Sequence, residues 1–535
     1  MFSRFTASQP SGTFHRLRAG GEITEKPVES ETKTPRPKAA AQPFLKHFLL
    51  ARLDDGYSRQ STETHPLRFS ATTAADRVLP SQMAARARPL FGYVDHVLFD
   101  TGEMAEARRR SLIAFMIRIF NAAIAFLSQV IMARWMGEFH YGIFVLVWVW
   151  MLILGSLAPM GFHTSIIRFL PQYASSGQDE ELRGILVTTR IFALLAATVA
   201  AIVGIAGIWL FADHVPDYYM LPFVLGFICV PMIAFSDSLD GVARAKAWII
   251  LALAPAYAVR PVLLLAFMAG ALLLGFPPEA KTALIAAIAA TYVTTIGQFA
   301  IVMARMRGEV KEGPRRILFM EWASVSLPIF LVEGFFFLLM NTDVLLVGYF
   351  MSPHDVAIYF ATVKTLAIAH FVYFAVKAGS AQQYARYLSA GDDKELSRFV
   401  AASVNWTFWP TLAMALMMLA LGKPMLMLFG EGFTAGYELV FILVFGVIAR
   451  ASVGPAESLL NMSGNQNICA GVYAITLAVN VGLNVWLIPQ MGLTGAAIAT
   501  VVAMICEAAM LALVVWWRLG IAMSVFTSLF NRAAR

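Results

Sequence analysis

Twelve stretches of this chain stay apolar for roughly 20 residues or more, the length a helix needs to cross about 30 Å of hydrocarbon. They run approximately over 111–135, 140–161, 184–211, 220–240, 248–275, 282–303, 320–349, 355–379, 399–421, 435–460, 469–489 and 493–517. Inside a bilayer no water satisfies open backbone groups, and the stretches lack the two-residue alternation of a barrel strand, so each is expected to be a helix. Composition agrees: 59% of the residues are hydrophobic and 14% charged, with mean hydropathy +0.67, whereas soluble domains carry about a quarter charged residues. The expected class is an all-α polytopic membrane protein with about 12 transmembrane helices.

The loops set the orientation. Arg108, Arg109, Arg110, Arg168, Arg183, Arg244, Lys246, Arg305, Arg307, Lys311, Arg315, Arg316, Arg386, Lys394, Arg398, Arg518, Arg532 and Arg535 all fall on one side, and the other side offers little beyond Lys281 and Lys423. The positive-inside rule then places both termini in the cytoplasm. The net charge of +7 sits where anionic lipid lies, so membrane lipid is an expected partner and nucleic acid is not. Residues 1–107 are rich in Pro, Arg, Ser and Thr and read as a disordered tail without a secretory signal. Within it Phe44–Leu53 has the pattern of a short amphipathic surface helix. Cys229, Cys469 and Cys506 lie in apolar spans with no metal spacing. Neither a phosphate loop nor a hydrolase or zinc-protease motif occurs, so no enzyme activity, cofactor or metal is expected.

An internal repeat organises the spans. "QYASSGQDEEL" from Gln172 returns 214 positions later as "RYLSAGDDKEL" from Arg386, and "MGEFHYGIF" from Met136 pairs with "MSPHDVAIY" from Met351. Each polar copy follows the second helix of a six-helix set. Six is even, so both halves share one orientation and are related by an axis along the membrane normal. The expected domains are a tail (1–107), an N-terminal lobe (108–304), a basic linker (305–319), a C-terminal lobe (320–518) and a short tail (519–535), with a central cavity between two parallel lobes. The acids of "QDEEL" and "DDKEL" are expected to start the next helix, where carboxylates suit the positive helix end.

Charges within lipid are costly and are functional candidates by default. Arg118, Arg260, Lys364 and Arg450 are the deep cations, spread over both halves; Arg260 is flanked by Pro255 and Pro261. They predict a positive cavity suited to an anionic ligand such as a pyrophosphate or acidic sugar. Glu333 and Glu507 are open between ion pairing, titration during a coupled cycle and a structural role, and Asp343 is a further coupling or ion-pair candidate. Arg134 and Asp343 lie near outer helix ends, where interfacial anchoring is the expected role. Lys377 can snorkel to headgroups, and Glu457, two turns from Arg450, can pair with it.

The stretch "GEGFTAGYELVFILVFGVIARASVGPAESLLNMSGNQN" from Gly430 and "LAVNVGLNVWLIPQMGLTGAAIATVVA" from Leu477 resemble the C-terminal lobe of polysaccharide flippases. These belong to the multidrug/oligosaccharidyl-lipid/polysaccharide exporter superfamily. "NTDVLLVGYFMSPHDVAIYFATVKT" from Asn341 and "RFLPQYASSGQ" from Arg168 extend the resemblance over roughly 108–520. In physical terms Pro489 should end the eleventh span and Gly492 should permit the turn. Small residues at Gly495, Ala496, Ala497 and Ala499 let the last helix pack closely, and Asn480 and Asn484 share a face able to bond across helices. The resemblance implies a monomeric flippase in the bacterial inner membrane that moves an undecaprenyl-pyrophosphate-linked oligosaccharide outward by alternating access, for exopolysaccharide or lipopolysaccharide biosynthesis. Polysaccharide polymerase and glycosyltransferases are then candidate partners. Twelve spans rather than fourteen argue against the peptidoglycan-precursor branch. The competing expectation is an ion-coupled multidrug or metabolite antiporter of the same superfamily.

Overall fold

The computed structural model describes residues 103–525 apart from Lys311, with side chains from Ile119 onward, Ala378 excepted. The tail with its segment Phe44–Leu53, the Arg118 side chain and the residues after Val525 lie outside the described residues. Among the described residues the chain is helical throughout, with no strand. The first lobe comprises α1 (Glu103–Leu157), α2 (Phe162–Ser176), α3 (Asp179–Leu210), α4 (Asp217–Phe227), α5 (Val230–Ala245), α6 (Ile249–Ala254), a π turn (Pro255–Val259), α7 (Arg260–Leu273) and α8 (Ala280–Arg307). The second comprises α9 (Phe319–Leu339), α10 (Thr342–Phe350), α11 (Pro353–Ala390), α12 (Asp393–Met427), α13 (Tyr437–Ala451), α14 (Ala456–Met462), α15 (Gln466–Met491) and α16 (Leu493–Leu519).

Among the described residues ten helices are long and apolar enough to cross a membrane, and the bent pair α4 and α5 makes eleven. The longest stretch, Ile119–Ser176, has 58 residues and would run about 87 Å as one straight helix. Gly137 divides it, with φ 69° and ψ 171°, so that it holds two of the twelve expected stretches. That backbone geometry is open to glycine and strained for other residues. The chain therefore has two six-span lobes, several of them broken into shorter helices at proline or glycine.

The repeated polar stretches are matching elbows. α2 ends on Gly177 at φ 68° and α11 on Gly391 at φ 66°. Asp179, Glu180 and Glu181 then open α3, and the Asp392 carboxylate accepts the Glu395 backbone N–H at 3.0 Å to cap α12. One detail differs from the sequence reading: Pro489 lies inside the last turn of α15, and the helix ends at Gly492 with φ 60°. A proline this close to a helix end has its ring against a turn that need not continue. The expected tight packing is present, since a Cβ on Gly495 would stand 2.4 Å from the Leu487 carbonyl oxygen.

At the face away from the basic loops the two lobes interlock. The Arg134 guanidinium donates to the Leu428 and Met427 carbonyls at 2.6 and 2.9 Å, where the end of α12 carries negative partial charge. Glu138 pairs with His354 at 2.5 Å. Arg134, expected to anchor at the interface, thus clamps one lobe to the other. Tyr141 is fully buried against Phe360 and Phe433. Nearer the basic face, α2 meets α9 through Ser165 and Ser326 at 2.7 Å, and the Trp322 indole donates to the Tyr173 hydroxyl at 2.9 Å. The linker is tied down as well: Arg316 donates its backbone N–H to the Glu180 carbonyl at 3.0 Å and pairs with Glu181 at 3.2 Å.

Candidate functional site

In the first lobe the site begins with a missing hydrogen bond. Pro255 has no N–H to give the Leu251 carbonyl one turn earlier. The Gln298 amide donates to that carbonyl at 3.3 Å while its own oxygen accepts from Ser236 at 2.9 Å. The backbone loosens into the π turn, and Arg260 follows it at the start of α7, 7% exposed. Its Nε and Nη2 make no hydrogen bond among the described residues. Asp237 and Tyr257 act on it electrostatically, and the Ser156 hydroxyl donates to the Asp237 carboxylate at 2.9 Å. Asp240, one turn beyond Asp237, pairs with Arg244. Tyr257 is 55% exposed.

The second lobe holds two different arrangements. Asp343, buried near the start of α10, accepts the Asn480 and Asn484 amides on Oδ1 at 2.8 and 3.0 Å and the Thr500 hydroxyl on Oδ2 at 2.8 Å. Tyr359 supports Thr500 at 2.9 Å. Among the described residues no cation pairs with this carboxylate, so its donors are all neutral. Deeper in the lobe Arg450 and Glu507, 4% and 0% exposed, pair at 3.1 Å. Lys377 pairs with Glu457. Both cations lie over the Phe336 ring, Lys377 at 5.4 Å and Arg450 at 5.6 Å, and Arg450 also lies 4.9 Å from Tyr373.

The sequence-predicted residues therefore separate into groups. Arg118 lies outside the described side chains. Arg260 is buried without an ion pair among the described residues. Lys364 on α11 is exposed, with its Nζ 4.9 Å from the Phe360 ring. Arg450, expected beside Lys364 as a cargo-facing cation, is paired with Glu507 and adds no net charge. The anticipated Arg450–Glu457 pair does not form, because the chain turns at Gly454, φ 63°, before α14 begins. Glu457 takes Lys377 instead, so that lysine does not snorkel to headgroups. Glu333 is exposed and accepts from the Thr164 hydroxyl at 3.0 Å, with His163 at 3.7 Å. Asp343 is a buried node rather than an interfacial anchor, and the two asparagines do bond across helices, to it. Asp237 and Asp240 were missed. They lie at the end of the fourth apolar stretch, and two acids one helical turn apart within a span were the available signal.

Residues 107–379 match the family model described as polysaccharide biosynthesis protein, and residues 328–486 match the model described as MatE. No curated protein matches. Among solved structures the chain is similar to a multidrug resistance MATE family transporter of the MOP superfamily in an inward-facing conformation. That match has 14% identity and TM-score 0.62, and covers 75% of this chain and 94% of that one. It is also similar to a MOP superfamily transporter from Pyrococcus furiosus, with 14% identity, TM-score 0.57 and coverage of 76% and 94%. A third similarity is to the lipid II flippase MurJ in an inward closed conformation, with 14% identity, TM-score 0.57 and coverage of 75% and 87%. At identities this low the likeness is one of fold.

Proposed function

We propose, on the premise that the chain belongs to the polysaccharide biosynthesis protein family, that it is a flippase for a lipid-linked oligosaccharide. Its cargo is a polyprenyl-pyrophosphate-linked sugar chain, and its place is the bacterial inner membrane with both termini cytoplasmic. Arg260 carries the reading. A guanidinium at mid-membrane, more than nine-tenths buried and with two nitrogens lacking partners, is a fork suited to phosphate oxygens. Lys364 supplies a second positive point from the other lobe. The cargo enters from the basic side, its pyrophosphate is drawn between Arg260 and Lys364, and rocking of the lobes about the site exchanges its access between faces. Asp343 is the proposed coupling group: a buried carboxylate held only by neutral donors remains available to a proton or small cation.

The cell-based test substitutes Arg260 and Lys364 singly by Ala, with membrane abundance verified. Each variant should lose surface polysaccharide, and Arg260→Lys should restore only part of it because a point charge lacks the two-pronged geometry. Full export in both Ala variants would refute the assignment. A second reading, ion-coupled extrusion of drugs or metabolites, is favoured by the MatE match over 328–486. It predicts that deletion sensitises cells to cationic toxins and leaves surface polysaccharide intact.

A further inference from the structure

The kink at Pro255 has a second consequence, on the outside of the bundle. Between α6 and α8 lies an apolar groove of about 640 Å³, lined on one side by Trp248 and Ile250 and on the other by Gly297, Ile301 and Arg305. Ile250 is 67% and Ile301 48% exposed, so the groove opens away from the core, toward whatever surrounds the spans. From Val293 to Arg305, both lining residues, α8 rises about 18 Å, close to half of the roughly 30 Å hydrocarbon thickness. At about 30 Å³ per water-sized group, the volume takes on the order of 20 methylene-sized groups, which is one acyl chain.

The groove is charged only at its basic end. Arg305 lies in the last turn of α8 with its guanidinium 5.2 Å from the Trp248 ring, a pairing of residue types that favours the membrane interface. Among the described residues no carboxylate pairs with it. Lys246, two residues before Trp248, is already engaged by Glu309 at 2.6 Å. An apolar channel one leaflet long that ends at an unpaired guanidinium matches an acyl chain joined to a phosphate. We infer that this groove binds one anionic phospholipid of the leaflet on the basic face, its chain lying between α6 and α8 and its phosphate on Arg305. The lipid fills the gap behind the proline hinge. The inference is independent of the cargo.

The test is native mass spectrometry of the purified full chain in detergent, titrated with phosphatidylglycerol or with phosphatidylcholine of the same acyl chains. The parent should take up a first phosphatidylglycerol in preference to phosphatidylcholine. Gly297→Phe should suppress that first adduct for both lipids. Beyond its own local backbone no atom stands within 4 Å of a Cβ built at Gly297, so a side chain there starts in open space, and thermal unfolding in lipid-free detergent should match the parent. Arg305→Gln should lower phosphatidylglycerol affinity about tenfold, to the level of phosphatidylcholine. If Gly297→Phe does not fold, the selectivity lost in Arg305→Gln decides alone. Equal binding of the two lipids by the parent, or a phosphatidylglycerol preference kept by Arg305→Gln, overturns the assignment. Displacement of phosphatidylglycerol by an equal concentration of polyprenyl phosphate also overturns it, giving the groove to a cargo tail.

Discussion

Glu507 has no exposed surface and faces a guanidinium that is 4% exposed, so its charge is matched by Arg450 and by little else. Removing one partner of such a pair leaves the other uncompensated in a low-dielectric interior, at a cost of about 3–5 kcal/mol. Glu507→Gln should therefore lower the unfolding temperature in detergent strongly, and Arg450→Met combined with Glu507→Leu should recover most of the loss; a single variant as stable as the parent would contradict the pairing. At this scale the sequence was partly legible. Depth and sign marked Arg260, Lys364, Arg450 and Glu507 as candidates, because an ionised group in lipid always requires an account. Which acid meets which base was not legible. Spacing along one helix suggested Arg450 with Glu457, yet the turn at Gly454 rotates Glu457 toward Lys377, and Arg450 finds Glu507 on another helix. Pairings across helices depend on packing that no single-helix period encodes.

Elements were more legible than residues. Hydrocarbon thickness fixes helix length, and this is why the apolar stretches became long apolar helices; the turns at Gly177 and Gly391 fell where the repeated polar stretches put them. The internal breaks were harder to see, because a proline or glycine within an apolar run does not announce whether its helix bends, ends or continues. Gly142 shows how tightly the elements meet: a Cβ there would stand 1.7 Å from the Pro353 carbonyl oxygen on α11. Gly142→Ala should hold the lobes apart at the face away from the basic loops. Phe433, 1% exposed with its ring against Tyr141, the residue before Gly142, reports the change when replaced by Cys in a chain lacking its three native cysteines. Maleimide labelling in detergent should rise several-fold with Gly142→Ala, and an unchanged rate would show that the contact does not close this face.

For the whole molecule, the repeat fixes the symmetry and the symmetry sets Arg260 and Lys364 on opposite lobes. Arg450 and Lys377 are neutralised by Glu507 and Glu457, while Arg260 and Lys364 have no ion pair among the described residues, which is why the proposal gives the cargo to these two. The most direct measurement reconstitutes the full chain in liposomes carrying a polyprenyl-pyrophosphate oligosaccharide with a fluorescent sugar, and follows the fraction protected from a membrane-impermeant quencher. The parent should exchange the labelled lipid between leaflets, and Arg260→Ala with Lys364→Ala should slow exchange by at least about tenfold, one charge-assisted contact or more. Exchange at the parental rate in the double variant, or a parent that moves no lipid-linked sugar while extruding a cationic dye along an ion gradient, would contradict the account.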